Sequence, residues 1–347
     1  MKNYPLLTIC LLAHNGEKFI SKTLDSIFNQ TYPNLEIIVS DNYSDDKTAE
    51  IVKTFLKDKK NVFYRKNEKP LIKDYDYIGC YSNYNSCINS GLIKGEFVSF
   101  CHDDDIYERN IFQKEIDFLI SHPEIGAVFT TGNIISEKDE IIGKIALPKS
   151  LRGKNIYSFI EVFKSFLNNG NTFLITPTFT TRKDILDNVG LFNEKEFRTC
   201  ADLDMWLRIL EKYPIGILNE NLINYRVGGG SRAYGKTRTQ RADWFLVMDY
   251  FLGKSKLSNK IEKLFLKQYD FLKRIDDAVI AVNFLKRNKT VEAKKFIDKI
   301  ISPDIFWFFS KNITKKKIKG LILIIIIFVC FNMGIGKPIG KIIYRFK

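Results

Sequence analysis

Residues 97–110 read FVSFCHDDDIYERN, in which an apolar run ends at three consecutive aspartates, Asp103, Asp104 and Asp105. Adjacent carboxylates repel one another, so this cluster is unfavourable unless water or a cation neutralises it. Carboxylate oxygens suit a hard divalent ion, Mg²⁺ or Mn²⁺, which a diphosphate could also help to coordinate. The alternative interpretation is a solvated acidic loop or a helix start, where acidic residues are favoured.

The residue before the triplet is His102. An imidazole can bind a metal, but hard ions prefer oxygen ligands. The sequence therefore favours a structural or substrate-facing histidine over a further metal ligand.

Strand-like and helix-like segments alternate through the first half of the chain. The apolar runs that we interpret as strands are residues 6–13, 35–41, 61–67, 97–101 and 125–131. Segments with helical or polar character separate them, so the pattern predicts an α/β fold with a mostly parallel sheet and helices on both faces. Ligands bind at the carboxyl ends of such strands. Asp41, which ends the second run, should therefore share an edge with the aspartate triplet.

Composition excludes several classes of protein. The 347 residues include six scattered cysteines without a CxxC pair, so a disulfide framework is not expected and a reducing cytoplasm fits. The N-terminal apolar run is too short for a signal peptide. Residues 237–312 show apolar side chains at helical spacing among lysines and predict a helical extension. No nucleic-acid motif accompanies them, so nucleic acid is not expected as a partner.

The positive charge is concentrated at the end of the chain. The net charge is +14, and nine Lys or Arg but no acidic residue follow Asp304. Residues 320–336, GLILIIIIFVCFNMGIG, carry no charge and have lysines on both sides. This pattern favours a segment that dips into or lies on one membrane leaflet over a clean crossing. The alternative is a buried strand or helix of the core, since short apolar runs cannot be assigned by periodicity alone.

Three ordered stretches resemble the family-2 glycosyltransferases, which have the GT-A fold. They are LLTICLLAHNGEKFISKTLDSIFNQTYPNLEIIVSDNYSDDKTAEI, GEFVSFCHDDDIY, which matches the DXD region, and ADLDMWLRI at 201–209. The resemblance covers about residues 5–230 and implies a GT-A, Rossmann-like sheet.

The resemblance implies roles for the residues at the donor side. Asp41 would hydrogen-bond the base of a nucleotide-sugar, with the uracil N3–H as the expected donor. Asp103 would lie near the ribose and diphosphate, and Asp104 would be the main ligand of Mn²⁺ or Mg²⁺. Asn15, after the first strand, is either a further base-side residue or only a turn residue.

The resemblance also implies that Asp202 is the general base. The metal would offset charge on the departing diphosphate, while Asp202 would deprotonate the acceptor hydroxyl in a single displacement with inversion. Asp204 is the alternate, although its spacing to Arg208 is typical of an i,i+4 pair on a helix.

Some positions depart from the family pattern. Asn42 and Tyr43 stand where the family usually has an acidic residue and glycine, His102 takes the first DXD position, and Ala201 replaces a glutamate. These changes affect the expected nucleotide preference more than the expected activity. The stretch YRVGGGSR at 225–232 predicts either a loop closing on donor phosphates through an arginine or a plain linker.

The predicted organisation is a GT-A domain at 1–235, a helical extension at 236–312 and a membrane-associating tail at 313–347. The predicted function is metal-dependent sugar transfer from a nucleotide-sugar, with a UDP-sugar as the expected donor, to a glycan or lipid-linked acceptor in surface polysaccharide synthesis. The expected location is the inner face of the cell membrane, peripherally or through a C-terminal anchor. One alternative is a nucleotidyltransferase acting on sugar phosphates. Such enzymes usually have a glycine-rich, basic phosphate-binding loop after the first strand, and AHNGEKF in this chain matches that loop poorly. The other alternative is a catalytically silent glycan-binding relative.

Overall fold

A ten-stranded sheet organises the first part of the chain in the computed structural model. The structure describes residues 4–57, 59–71, 78–228, 238–254, 261–300 and 315–333. The chain divides into two units, residues 1–228 and 229–347. The predicted domain boundary at residue 235 lies outside the described residues.

The strands of the first unit alternate with helices along the chain. The strands are β1 (Leu7–Ala13), β2 (Leu35–Asp41), β3 (Val62–Lys66), β4 (Phe97–His102), β5 (Ile106–Tyr107), β6 (Ala127–Ile135), β7 (Ile141–Ile145), β8 (Ile156–Tyr157), β9 (Thr180–Arg182) and β10 (Ile215–Arg226). The helices are α1 (Ile20–Phe28), α2 (Thr48–Leu56), α3 (Ile78–Ile88), α4 (Ile111–Ser121), α5 (Phe159–Asn169), α6 (Lys183–Val189), α7 (Glu194–Phe197) and α8 (Ala201–Leu210). Short 3₁₀ turns occupy Lys149–Leu151, Thr176–Thr178 and Arg198–Cys200.

The sheet has the order β3-β2-β1-β4-β9-β6-β10-β5, with β7 beside β6 and β8 beside β10. Strands β3, β2, β1 and β4 are parallel, as the alternation of strands and helices predicts. The second half is mixed, because β9 lies antiparallel between β4 and β6, and β5, β7 and β8 also pair antiparallel. These short strands have no clear pattern in the sequence and were not predicted.

Helices cover both faces of the parallel half. Every residue of β1 is buried. Alternate residues of a strand point to opposite faces. Leu7, Ile9 and Leu11 join one core cluster with buried side chains of α1 and α4. On the other face, the thiol of Cys10 is hydrogen-bonded to that of Cys87 on α3.

The strand register brings the predicted site residues to one edge. Ala13 lies opposite Asp41 on β2, and Leu12 lies opposite His102 on β4. The three strands therefore end together, and the loops that follow them must emerge side by side.

The second unit is helical in the residues described, as predicted. Its helices are α9 (Trp244–Lys254), α10 (Lys263–Lys286), α11 (Thr290–Ile300) and α12 (Lys315–Asn332). One apolar cluster joins α10, α11 and α12, including Val282, Ile297 and Ile324.

Helix α12 contains most of the apolar segment predicted to meet a membrane. Leu321, Ile324 and Ile327 lie on one face and are buried in the apolar cluster of the second unit. This face agrees with the alternative interpretation, in which the segment is a buried helix of the core. Across the described ranges, none of the helices combines the length and apolar content that crossing a bilayer requires. Residues 334–336 of the segment lie outside the described residues, and membrane association stays a prediction.

Candidate active site

The loop after β1 is bound to the loop after β2. Asn15 has a φ of +51°, its N–H donates to Ser44 Oγ at 3.0 Å, and its Oδ1 accepts from the Asp45 N–H at 3.0 Å. Asn15 therefore serves as a turn residue, a role that the sequence analysis left open beside a base-side contact. Gly16 is needed for space, because a Cβ there would lie 2.3 Å from Asp103 Oδ2.

Asp41 lies at the expected edge but is fully buried. Its Oδ1 accepts from the N–H and the hydroxyl of Ser44 at 2.8 and 2.6 Å, and its Oδ2 accepts from the Tyr64 hydroxyl at 2.6 Å. These bonds fix the loop that follows β2. Asp41 Oδ2 accepts one hydrogen bond and can accept a second, so direct contact with a nucleotide base stays a prediction.

The aspartate triplet lies between the first loop and the end of β10. Asp103 Oδ2 accepts the His14 N–H at 2.9 Å, and Asp105 Oδ1 accepts the Arg226 N–H at 2.8 Å. Burial, with the neighbouring Asp104 carboxylate, raises the pKa of Asp103 to about 8. Burial also raises the pKa of Asp104 and of Asp105. The cluster therefore binds protons tightly when no cation is near.

Two carboxylates and an imidazole converge within this cluster. One ligand atom each from His102, Asp104 and Asp105 lie within 4.8 Å of one another. Asp105 Oδ2 and His102 Nε2 are buried without a hydrogen-bond partner among the described residues. Burial lowers the pKa of His102 to about 4, so its ring is neutral at physiological pH and able to bind a metal. The donor set fits Mn²⁺, and it includes a histidine that the sequence favoured as structural.

Arg226, a predicted contact to donor phosphates, is buried instead as part of the site's framework. Its Nε donates to the Asp104 carbonyl at 2.7 Å, and its guanidinium pairs with Asp139 Oδ1 at 2.6 Å. The guanidinium also lies 4.2 Å from the centroid of the Phe19 ring. Arg232, the other arginine considered, lies outside the described residues.

Asp202 occupies the first turn of α8. Its Oδ2 accepts from the Thr176 hydroxyl at 2.9 Å, and its Oδ1 accepts from the Leu203 N–H at 2.7 Å. The Tyr81 hydroxyl, which donates to the Thr199 carbonyl at 3.2 Å, lies close enough to lower the pKa of Asp202. Burial raises the pKa of Asp202, while these hydrogen bonds act in the opposite direction. A carboxylate with a raised pKa is suited to accept a proton.

Helix α3 links Asp202 to the aspartate triplet. Tyr81 contacts Asp202, and Tyr84 stacks on the His102 ring with centroids 6.0 Å apart. Residues three apart on a helix lie on the same side. Thr176 lies in the 3₁₀ turn just before β9, which pairs antiparallel with β4. Asp202 therefore lies at the same edge of the sheet as the triplet.

Asp204 has a structural environment. It is buried, and its Oδ2 accepts from Arg208 Nε at 2.8 Å. The same guanidinium donates to the Val189 and Leu191 carbonyls, so the pair ties α8 to the segment after α6. This is the i,i+4 pairing that the spacing indicates.

Several residues of the site carried no signal in the sequence. Thr176 holds Asp202, Tyr81 lies near it, and Tyr64 holds Asp41. Hydroxyl side chains are common throughout the chain, and only the fold brings these three to the carboxylates. The i,i+3 spacing of Tyr81 and Tyr84 could have indicated that the two rings share a face of α3.

Comparison with known proteins agrees with this geometry. The family model described as "Glycosyl transferase family 2" matches residues 8–190, which is more than half of the chain. The chain belongs to glycosyl transferase family 2. This family region includes the aspartate triplet and Asp41 but ends before Asp202.

Individual relatives of the family extend the likeness beyond the matched region. The chain is 24% identical over 294 residues to chondroitin synthase from Pasteurella multocida, which covers 85% of this chain and 27% of that protein. The structure of S. aureus TarS 1–349 in complex with UDP-GlcNAc superimposes with a TM-score of 0.55 at 16% identity, covering 95% of this chain and 92% of that one. The mannosyltransferase PcManGT from Pyrobaculum calidifontis, in complex with GDP-Man and Mn²⁺, gives a TM-score of 0.52 at 13% identity, covering 94% and 88%. At these identities the two structures establish the GT-A fold.

Proposed function

We propose that this family-2 glycosyltransferase moves a sugar from a nucleotide-sugar to a hydroxyl of a glycan or lipid-linked acceptor, with a divalent cation and with inversion. The observation that carries the proposal is the shared edge of the sheet. Helix α3 contacts both groups at this edge: Tyr84 stacks on His102 beside the carboxylates that could bind a cation, and Tyr81 lies near Asp202. A charge-stabilising group and a proton acceptor are the two elements that this transfer needs.

The donor is assigned to the loops after β1, β2 and β4. Asp103 is placed near the ribose and diphosphate, and Asp41 supports the base side by fixing Ser44 and Tyr64. A UDP-sugar is the first candidate, supported by the UDP-GlcNAc complex of TarS. The GDP-Man complex of PcManGT makes GDP-sugars the comparison set.

A divalent cation would be held by Asp104, with Asp105 and His102 in reach. Mn²⁺ is the first candidate because PcManGT contains it, and Mg²⁺ is the second. When bound, the ion offsets the negative charge that develops on the departing diphosphate. The chain's own contribution is to hold the carboxylates in place through the Arg226 N–H and the Arg226 guanidinium.

Asp202 is assigned to the acceptor. The acceptor oxygen forms a bond to the anomeric carbon as the bond from that carbon to the diphosphate oxygen breaks, and the hydroxyl proton passes to Asp202. The Thr176 hydroxyl and the Leu203 N–H orient the carboxylate for this step. One displacement of this kind inverts the anomeric configuration, and the nucleoside diphosphate leaves with the bonding electrons.

The relatives support the proposed acceptor class. Chondroitin synthase, by its name, makes a polysaccharide, which supports a growing glycan as the acceptor here. A lipid-linked acceptor would place the enzyme at the inner face of the cell membrane, in line with the basic end of the chain.

The test is a screen of UDP-, GDP- and dTDP-sugars for thermal stabilisation of the full chain, in Mn²⁺ and in EDTA. We expect a UDP-sugar to stabilise the protein in Mn²⁺ and to do so much less in EDTA. The hits would then be supplied with oligosaccharide acceptors, and NMR of the product would give the anomeric configuration. Absence of stabilisation by every nucleotide-sugar would contradict the donor assignment, and a retained configuration would contradict the single displacement.

A further inference from the structure

Helix α12 is anchored in the second unit by one face. Leu321, Ile324 and Ile327 are buried among side chains of α10 and α11. Gly320 lies so close to α10 that a Cβ there would come within 2.4 Å of Ile275 Cδ1. The absence of a side chain at Gly320 therefore lets the two helices approach closely, and the orientation of α12 in its unit is fixed.

The opposite face of α12 is apolar and exposed. Its side chains, which we name the isoleucine stripe, are between 39% and 67% exposed; they are Ile318, Ile322, Ile325, Ile326, Val329 and Met333. Their spacing follows one side of a helix. At 1.5 Å per residue the stripe is about 22 Å long. A surface helix normally shows polar residues on its solvent face, so a second apolar face indicates a further partner.

The charge beside the isoleucine stripe indicates which partner fits. The first two turns of α12 contain Lys315, Lys316, Lys317 and Lys319, and no acidic residue follows Asp304. A bilayer surface rich in anionic phospholipids combines an apolar boundary layer with negative charge. A second copy packed parallel on the stripe would bring the two lysine clusters together, where like charges repel. An antiparallel copy would leave both clusters without an anionic partner on α12, because no acidic residue follows Asp304.

We propose that the isoleucine stripe is a docking surface for an anionic lipid bilayer. The helix lies in the plane of the interface with the stripe towards the acyl boundary, while its other face stays packed on α10 and α11. This inference goes beyond sugar transfer, since it concerns where the protein is held and does not depend on which donor it uses.

Vesicle co-sedimentation of the full chain tests the proposal, with vesicles of phosphatidylcholine alone and of phosphatidylcholine with phosphatidylglycerol. We expect binding to the anionic vesicles only. The variant Ile322→Glu/Val329→Glu should weaken this binding at least about tenfold, because it removes apolar area and adds repulsion. The control is Val291→Glu on α11, which is also exposed but lies outside the stripe and should leave binding unchanged.

A lysine variant tests the charge separately. Lys316→Gln/Lys317→Gln/Lys319→Gln should weaken binding to anionic vesicles about 100-fold, at roughly fivefold per lysine, and should reduce its salt dependence. Circular dichroism melts and UDP binding, measured on every variant, separate loss of docking from unfolding or from a wrong donor assignment.

Three outcomes would overturn the proposal. The parent protein could fail to sediment with anionic vesicles, or the stripe variant could bind them as the parent does. Alternatively, sedimentation equilibrium could show a dimer that the stripe variant dissociates without loss of vesicle binding. That result would assign the stripe to a second copy of the chain.

Discussion

Each unit contains neighbouring aspartates that are buried or half-buried, but the two sets meet different partners. In the second unit, Asp276 accepts from both terminal nitrogens of Arg238, and Asp277 accepts from Arg241 NH2 at 2.5 Å. In the first unit, Asp105 Oδ2 has no hydrogen-bond partner in the described part of the chain. Neighbouring aspartates are therefore not a site by themselves. The difference in the first unit is a carboxylate oxygen that the fold leaves without a hydrogen-bond partner among the described residues, beside two further groups that can bind a metal.

The same difference separates two residues of α8. Asp204 is paired with Arg208, whereas Asp202 accepts from the Leu203 N–H and the Thr176 hydroxyl. Neutral donors orient a carboxylate but leave it able to take up a proton. From this difference in partners we expect Asp204 to support the fold and Asp202 to remain able to accept a proton.

The largest effect should come from Asp202→Asn, which keeps the shape of the side chain but removes its basicity. We expect transfer to fall about 10²–10⁴-fold, as is typical for loss of a general base, with little change in UDP affinity. The control is Asp204→Asn, which should lower the melting temperature and leave transfer by the folded enzyme intact. If Asp204→Asn abolishes transfer and Asp202→Asn spares it, the two roles have been exchanged. If neither change matters, the base lies elsewhere.

The second unit should respond in stability alone. Asp276→Ala leaves the nearly buried Arg238 without its carboxylate, and breaking such a pair costs about 3–5 kcal/mol in free energy of unfolding. Urea denaturation measures this loss, and calorimetric titration with UDP should show unchanged affinity. A large fall in UDP affinity at full folding would instead connect Asp276 to the donor site and break the contrast between the two sets.

Asp104→Ala should have the opposite pattern. Loss of a residue that only supports a metal ligand typically weakens metal binding about 10–100-fold, and loss of the ligand itself should have at least that effect. UDP binding in Mn²⁺ should therefore fall towards its value in EDTA. The fold should survive, because the change removes one of the mutually repelling carboxylates. Titration calorimetry in Mn²⁺ and in EDTA measures both states. UDP binding equal to that of the parent in Mn²⁺ would exclude Asp104 as the metal ligand.

A smaller effect is expected from pH. The pKa of Asp103 is raised from 3.8 to about 8, so the stability that this carboxyl contributes at acidic pH is lost as pH rises through that range. Mn²⁺ binds the ionised form of a carboxylate. The increase in melting temperature on adding Mn²⁺ should therefore be larger at about pH 8 than at about pH 5.5. Asp103→Asn should reduce this pH dependence, whereas Asp187→Asn on the exposed side of α6 should not. A cation effect that is constant with pH would contradict the assignment.

The sequence predicts most of the parallel half of the sheet but less of the site. The run LEIIVSD ends at Asp41, and so does β2, because a continuous apolar run followed by polar turn residues is a strong strand signal. The partners of Asp41 could not be predicted. Tyr64 comes from a different strand, and such long-range contacts depend on packing.

Helix α12 shows a second limit of sequence patterns. In LILIIIIF every position is apolar, so the sequence has no periodicity that would indicate the buried side. The packing of Leu321, Ile324 and Ile327 on α10 and α11 decides it. The i,i+4 pair of Asp204 and Arg208, by contrast, was predictable because it depends only on local helix geometry.

The place of β9 in the sheet has a consequence for synthesis of the chain. The ribosome releases β4 and β6 well before Thr180–Arg182, yet β9 lies between them, so neither strand can complete its pairing on that side until β9 has emerged. An unpaired strand edge is a template for aggregation, which makes the nascent chain vulnerable during this interval. Thr176 precedes β9 and Asp202 follows it, so the hydrogen bond that holds the proposed proton acceptor forms only after the gap in the sheet has been filled. A nascent chain that stops before α8 therefore contains the aspartate triplet but lacks Asp202.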